Sequence, residues 1–208
     1  MAKLHPVLQS IKYQRTFCLI KPDGVSRGLI GDIIERIEKA GLKIVALKMI
    51  QANREQASKH YPTEDLVWVN RLGEKSVSGF ETLTITPKEA LGTDDTKIIG
   101  RQVSDMLVDY LLSGPVVCMI VEGIQAIDMV RKLAGHTIPN KADVGTIRGD
   151  YSVDSPAIAN AEHRSIHNLF HASENQKEAT NEINIWFGGD PVHNYRRAGE
   201  DVMYEKHY

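Results

Sequence analysis

The sequence predicts an α/β fold, namely a ferredoxin-like βαββαβ sandwich with a four-stranded antiparallel sheet, extra helices and two insertions. Three observations support this prediction. Aliphatic runs of strand length recur along the 208 residues, segments with apolar side chains at helical spacing follow them, and Gly or Pro residues separate the segments. The resulting order is strand, helix, strand, helices, strand, helix, loop, strand and helix.

The first strand, helix and strand lie within the first quarter of the chain. Residues 15–20 (RTFCLI) have the composition of a buried strand, and the Pro22-Asp23-Gly24 stretch after them is typical of a turn. A helix that ends at Gly41 follows, and residues 42–50 (LKIVALKMI) predict the second strand. The apolar face of that helix consists of Leu29, Ile30, Ile33, Ile34 and Ile37.

The region after the second strand is less regular. Asn53 with Gln56 predicts the start of a helix that ends near Tyr61. From residue 63 to about residue 97 the periodicity is weak. An alternation between Thr82 and Thr86 predicts a short strand there.

Two further helices flank the third strand. The first runs to Leu111 and ends at Ser113-Gly114-Pro115, and the second ends at Gly135. Between them, residues 116–122 (VVCMIVE) predict a core strand because they are almost entirely aliphatic.

The C-terminal part contains the candidate functional histidine. Residues 169–170 are typical of a strand and come directly before His171. Ser173 is the predicted N-cap of the last helix, and Gln176 would complete a capping box. We therefore expect His171 just before a helix N-terminus, where free backbone N–H groups and a partial positive charge favour a phosphate.

Composition and charge exclude several classes of function. The formal net charge of −2 provides no basic excess, so we expect no nucleic acid partner. The longest apolar run, residues 116–121, is too short to cross a bilayer, and we expect no membrane association. Cys18 and Cys118 lie in strand-like runs, which is typical of buried reduced thiols and favours a cytoplasmic location.

A histidine beside an anion site is a candidate nucleophile for phosphoryl transfer, and three cations could bind the phosphates. Lys21 follows the first strand, Arg131 lies on the helix after the third strand, and Arg148 lies in a glycine-flanked loop. Taken singly, each cation is more often a solvated surface charge, and a lone histidine is more often a polar loop residue. Neither GxxxxGK[ST] nor GxGxxG occurs, so phosphate binding would depend on side-chain cations and a helix end.

Four segments occur in a fixed order: RTFCLIKPDGVSRG at 15–28, SGPVV at 113–117, GTIRGD at 145–150 and NLFHASE at 168–174. Together they resemble the nucleoside diphosphate kinase family. The resemblance covers about residues 15–61 and 108–187. We therefore expect one such domain over residues 1–208, with insertions at about 63–107 and 155–167.

The resemblance implies ping-pong transfer of the γ-phosphoryl group from a nucleoside triphosphate to a nucleoside diphosphate, through a phosphohistidine at His171. It implies that Lys21 contacts phosphate, that Tyr61 lies near the histidine and that Glu182 orients its ring. Ser173, which follows the histidine, is the remaining implied catalytic residue. Mg²⁺ is the implied cofactor and would bridge the phosphates, held largely by substrate and water. We expect no metal site made by the protein itself.

The nucleotide-binding residues implied by the resemblance are Lys21, Arg131, Thr137, Arg148 and Asn168. The two arginines would bind phosphate, and Asn168 would bind the ribose. The implied partners are nucleoside diphosphates and triphosphates, and members of the family form hexamers or tetramers, so a homo-oligomer is expected.

Three departures from the family pattern stand out. Ala172 replaces the glycine that usually follows the histidine, which would cause strain if the position needed a positive φ. The usual base-stacking phenylalanine has no clear counterpart, although Trp68 and Phe80 are candidates. Residues 155–167 lengthen the approach to the histidine and could reshape the nucleotide cleft or a subunit contact.

Three rival interpretations remain open at this level. The spacing of His163, His167 and His171 resembles a helical zinc site. A non-catalytic nucleotide-binding or assembly module could share the fold, although such a scaffold has no need of a nucleophile. RNA binding on a ferredoxin-like sheet would require strand aromatics, of which the early core strands provide only Phe17.

Overall fold

The computed structural model describes residues 5–80 and 84–204. Its sheet contains β1 (Gln14–Ile20), β2 (Lys43–Gln51), β3 (Pro115–Gly123) and β4 (Phe170–Ala172). The strands lie in the order β2-β3-β1-β4, and every neighbouring pair is antiparallel. This order, with helices between the strands, confirms the ferredoxin-like prediction.

Helices connect the strands and flank both ends of the chain. None of the helices in the described ranges is long and apolar enough to cross a bilayer. The helices are α1 (Pro6–Lys12), α2 (Pro22–Ser26), α3 (Ile30–Lys39), α4 (Arg54–His60), α5 (Leu66–Ser78), α6 (Pro87–Leu91), α7 (Thr96–Leu112), α8 (Ala126–Ala134), α9 (Ile147–Tyr151), α10 (Pro156–Ala161), α11 (Gln176–Phe187) and α12 (Glu200–Tyr204), with a 3₁₀ turn at Pro139–Lys141.

Both faces of the sheet are covered. Helices α3 and α8 pack on one face, while α4, α7 and α11 pack on the other. Side chains of β1 alternate between the two cores, so that Cys18 and Ile20 belong to the first and Phe17 and Leu19 to the second. This two-sided burial explains why β1 is a continuous apolar run rather than an alternating one.

The two cysteines are free and buried, as the sequence predicted. Cys18 belongs to the core under α3 and α8, and Cys118 belongs to the core on the opposite face. Burial raises the pKa of both thiols, which keeps them protonated and unreactive.

Two local predictions were wrong, namely the turn at Pro22–Gly24 and the N-cap of the last predicted helix. The Pro22–Gly24 stretch is the beginning of α2, with Lys21 at the N-cap, because proline at the first helical position needs no N–H partner. Helix α11 is capped by Asn175, whose side chain accepts from the Glu178 N–H, and not by Ser173. The predicted capping box of Asn53 and Gln56 at the start of α4 is confirmed.

Helices α5, α6 and α7 occupy most of the region that the sequence left irregular. Asp65, Thr86 and Asp95 cap their N-termini through side-chain oxygens. The strand predicted from Thr82 to Thr86 is wrong at its end, because residues 84–85 form a bend and Thr86 is the cap of α6. Residues 81–83 lie outside the described ranges.

Helices α5 and α7 cross at two glycines. A Cβ at Gly73 would lie 1.7 Å from the carbonyl oxygen of Thr96, and one at Gly100 would lie 2.1 Å from that of Val69. Both distances are far shorter than van der Waals contact, so the two backbones approach this closely only because the side chains are absent.

Replacing Gly73 with Ala should lower the free energy of unfolding by about 1–3 kcal/mol, because the added methyl group would force α5 away from α7. The matched control is Gly31→Ala in α3, where an added Cβ meets nothing within 4 Å. That control should be stabilising by up to about 1 kcal/mol through helix propensity. Urea unfolding of both variants measures the difference, and equal effects would contradict the close crossing.

Candidate active site

A cleft of about 420 Å³ opens beside β4. It is bounded by α5 and α7 on one side, and by α8, α9 and the segment around α10 on the other. Most of the candidate residues from the sequence meet there, although they come from distant parts of the chain. The predicted site residues that line the cleft are Lys21, Tyr61, Arg131, Thr137, Arg148, Asn168 and His171.

His171 lies on β4 and not directly before a helix, which corrects the position expected from the sequence. It pairs with Leu19 of β1, and the following residue, Ala172, pairs with Cys18. Ala172 has no positive φ, so the alanine is compatible with its extended backbone. The His171 side chain is 17% exposed and faces the cleft, which leaves one edge of the ring accessible.

Glu182 lies behind the ring of His171. Its Oε1 is 2.7 Å from His171 Nε2, and its Oε2 accepts a hydrogen bond of 2.5 Å from the Ser173 hydroxyl. The backbone N–H of Ser173 donates to the Phe17 carbonyl at 3.2 Å, which holds the residue against β1 and leaves its single O–H for the carboxylate. Glu182 and Ser173 therefore lie in the layer beneath the cleft, not in the cleft itself.

Burial dominates the electrostatics of this pair. It lowers the pKa of His171 to about 4, and the nearby Glu182 carboxylate opposes only part of that effect. Burial alone would raise the pKa of Glu182, but the rings of His171 and His60 hold it well below its usual range. At neutral pH the pair is therefore a neutral imidazole beside a carboxylate. The carboxylate favours the tautomer with the proton on Nε2 and leaves Nδ1 with its lone pair.

His60 is a second buried histidine that the sequence analysis missed. Its Nδ1 lies 3.2 Å from Glu182 Oε1 and accepts from Trp186 Nε1 at 3.3 Å, and its ring is 4.4 Å from that of His171. Its position immediately before Tyr61 was the available signal, because Tyr61 was already assigned to the neighbourhood of the histidine.

The zinc site suggested by His163, His167 and His171 is not formed. Helix α10 ends at Ala161, so the three histidines do not share a helix face, and His167 stacks on Tyr110. Within the described residues, the group with the spacing of metal ligands is His60, His171 and Glu182. Its members are turned toward one another in the interior, as the contacts above show.

Lys21 and Asn168 lie together at the base of the cleft. Lys21 Nζ donates to Asn168 Oδ1 at 2.7 Å, and Asn168 Nδ2 donates to the Thr137 carbonyl at 2.9 Å. Burial, with a smaller contribution from Arg148, lowers the pKa of Lys21 to about 7. The side chain of Asn168 thus connects the lysine to the segment that carries Thr137.

Arg148 lies on α9 and not in the loop that the sequence suggested. Its Nε, Nη1 and Nη2 donate to the backbone carbonyls of Asn168, Gly135 and Phe170. Burial lowers its pKa to about 10, so it remains cationic at neutral pH. Since a guanidinium carries five N–H groups, two remain for a ligand in the cleft.

Tyr61, Arg131 and Thr137 complete the predicted set. Burial raises the pKa of Tyr61 above its usual range, and its hydroxyl has no partner among the described residues. Arg131 and Thr137 are exposed at the rim of the cleft. The neutral phenol and the exposed guanidinium are both available to a ligand.

Of the two candidates for base stacking, only one is accessible from the cleft. Trp68, on α5, lines the cleft and stacks on Tyr61 with ring centroids 6.2 Å apart. Phe80 is 3% exposed and packs with Leu91 and Ile99, so it cannot offer a ring face to a ligand.

Comparison with known proteins gives a consistent result. The family model described as nucleoside diphosphate kinase matches residues 14–100 and 81–192. A nucleoside diphosphate kinase of Pyrobaculum aerophilum is 47% identical over 179 residues, covering 86% of this chain and 97% of that protein. One of Borreliella burgdorferi is 38% identical over 191 residues, covering 92% and 97%.

Solved structures agree with these matches. The crystal structure of an NDP kinase from Pyrobaculum aerophilum superposes with a TM-score of 0.82 at 45% identity, covering 88% of this chain and all of that one. A transition-state mimic of the kinase from Borrelia burgdorferi, with bound vanadate and ADP, has a TM-score of 0.74 at 37% identity, covering 93% and 98%.

The contact with Glu182 predicts the tautomer and the pKa of His171. In ¹⁵N-histidine NMR spectra, His171 should carry its proton on Nε2 and titrate near pH 4. Glu182→Gln should lower that pKa further while keeping the tautomer, because the amide oxygen still accepts but the negative charge is lost. The control is His193→Ala, which removes a histidine from the exposed C-terminal segment and should leave the His171 signals unchanged. An Nδ1-protonated ring in the native protein would contradict the arrangement.

Proposed function

This chain belongs to the nucleoside diphosphate kinase family, and we propose that His171 is the residue that carries the phosphoryl group between nucleotides. The enzyme is a phosphotransferase that moves the γ-phosphoryl group of a nucleoside triphosphate to a nucleoside diphosphate by a ping-pong sequence. The observation that supports His171 is its position: one ring nitrogen faces a buried carboxylate, and the ring borders a cleft lined by cations.

In the first half-reaction, the lone pair of His171 Nδ1 attacks the γ-phosphorus. The bond from that phosphorus to the β,γ-bridging oxygen breaks, and the nucleoside diphosphate leaves with the electron pair. The ring gains positive charge as Nδ1 is phosphorylated, and the Glu182 carboxylate, 2.7 Å from Nε2, stabilises that charge. The second half-reaction reverses these steps with another diphosphate as acceptor.

The cations of the cleft stabilise the transferring group. Charge spreads over the equatorial oxygens of the phosphoryl group in the transition state, so catalysis depends mainly on positioning and electrostatics. Lys21, Arg131 and Arg148 provide that field, with Thr137 as a further donor. Asn168 binds the ribose, and the protonated hydroxyl of Tyr61 donates toward the reacting centre.

Mg²⁺ is the proposed cofactor. The His60, His171 and Glu182 group does not fit it, because Mg²⁺ prefers oxygen ligands and the group is rich in nitrogen. Glu174 does fit, since it lines the cleft and its carboxylate has no hydrogen-bond or ion-pair partner among the described residues. Held largely by phosphate oxygens and water, with Glu174 as an oxygen contact, the ion would neutralise charge on the phosphates.

We further propose a cytoplasmic homo-oligomer with one kinase domain over the whole chain. Free buried thiols at Cys18 and Cys118 are consistent with a reducing compartment. Leu47 and Met49, on the edge strand β2, are 50% and 52% exposed, which is consistent with an apolar contact between copies. Sedimentation as a monomer at micromolar concentration would contradict the assembly.

Incubation with γ-³²P-labelled ATP should give acid-labile label on the native protein, and His171→Ala should abolish it because the nucleophile is absent. The control, His193→Ala, removes an exposed histidine outside the cleft and should keep native labelling. Stoichiometric label in the His171→Ala variant would overturn the assignment. Acid-stable label in the native protein would point to a hydroxyl nucleophile instead.

A further inference from the structure

Arg148 lies on a helix that is too short to hold its own position. Helix α9 has five residues, and isolated helices of this length are not stable in water. The three carbonyl bonds of Arg148 fix the head of its side chain, whereas the position of its backbone depends on the neighbours of α9. The direction from which Arg148 reaches the cleft is therefore set by residues outside α9.

Arg36, on α3, joins α9 to the rest of the fold. Its Nη1 donates to the Gly145 carbonyl at 3.1 Å. Its Nη2 donates to Asp150 Oδ2 at 2.5 Å and to the Tyr151 hydroxyl at 3.0 Å. The guanidinium also lies over the Tyr151 ring, with its carbon 4.5 Å from the ring centroid. Arg36 itself does not line the cleft.

The carboxylate of Asp150 makes α9 and the turn before it into one unit. Its Oδ1 accepts from the Gly145 N–H at 2.7 Å, while its Oδ2 accepts from Arg36. The Gly145 N–H and then Arg36 hold the pKa of this carboxyl below its usual value, so it is ionised at neutral pH. The side chains of Arg36 and Asp150 are 25% and 22% exposed, so water screens this pair less than a fully exposed surface pair.

Helix α3 provides a fixed base for these contacts. Ile33 and Ile37 on α3 are fully buried in the core against the sheet. Arg36 therefore fixes α9 relative to the sheet. A lysine could not do this equally well, because a single ammonium lacks the planar fork that reaches a carbonyl, a carboxylate and a hydroxyl together.

We propose that Arg36 is a positioning residue for phosphoryl transfer, which holds α9 so that the remaining N–H groups of Arg148 face the transferring phosphoryl group. This inference rests on the proposed function of the cleft and on the role of Arg148 in it. Catalysis by positioning is sensitive to displacement, since a shift of about 1 Å can cost about 100-fold in rate. Loss of Arg36 releases α9 from α3 and so acts on the reaction through Arg148.

The test is a double-mutant cycle of Arg36→Ala and Arg148→Ala, in which kcat/KM is measured from the rate of acid-labile labelling by limiting γ-³²P-labelled ATP. In the native background, Arg36→Ala should lower kcat/KM about 10- to 100-fold. In the Arg148→Ala background, the same substitution should change kcat/KM by no more than about 2-fold, which is the error of such cycles. A purely structural role of Arg36 would lower kcat/KM in both backgrounds.

Two further variants act on the same contacts. Arg36→Lys keeps a positive charge beside Asp150 and should recover part of the loss. Asp150→Asn removes the charge of the acceptor and should also lower kcat/KM, which keeps the test decisive if Arg36→Ala does not fold. The matched control is Arg54→Ala, which breaks an exposed ion pair with Asp109 at 3.0 Å and should keep the native kcat/KM.

The outcomes separate this inference from the proposed function. If the native protein takes no acid-labile label, the phosphohistidine proposal fails, and if Arg148→Ala keeps the native kcat/KM, the proposed role of Arg148 fails. If Arg148→Ala lowers kcat/KM but Arg36→Ala does not, the positioning role of Arg36 is wrong. An equal loss from Arg36→Ala in both backgrounds would overturn that role as well, while the phosphohistidine stands.

Discussion

The carboxylate of Glu182 is buried beneath the cleft and surrounded by His171, His60 and Ser173. A buried charge of this kind is costly unless it is paired and hydrogen-bonded. The Ser173 hydroxyl donates to Oε2, and ring nitrogens of His171 and His60 lie 2.7 Å and 3.2 Å from Oε1. Three elements must therefore be in register: β4 for His171, α4 for His60 and α11 for Glu182. The central sheet provides this register, because β1 pairs with β4 and α11 packs on the face of β1.

The same framework divides the cleft into two chemically different ends. At one end, buried cations and carbonyl-bound side chains form a rigid surface for phosphates, as the three backbone contacts of Arg148 illustrate. At the other end, α5 contributes Trp68 and Leu72, and α10 contributes Asn160. The close glycine crossing of α5 with α7 fixes the wall that carries Trp68.

Local sequence signals predicted the elements well where they were strong. Continuous aliphatic runs marked β1, β2 and β3, and the capping box at Asn53 marked α4. The prediction of a helix N-cap was wrong where two neighbouring residues could both fill that position. Ser173 and Asn175 are both good caps, and the buried carboxylate of Glu182 attracts the serine hydroxyl, which leaves Asn175 to cap α11. The motif residues around the cleft were identified from the family resemblance rather than from local signals.

The sequence by itself determined the fold class, the order of the strands along the chain and the family, because periodicity and motifs are local properties. Only the tertiary structure decided which side chains meet. It placed His60 against Glu182, removed Phe80 from the candidates for base stacking and brought Asn160 to the cleft wall. The contact between His60 and Glu182 joins residues 122 positions apart in the chain. The burial of such residues depends on how the helices pack on the sheet rather than on any local pattern.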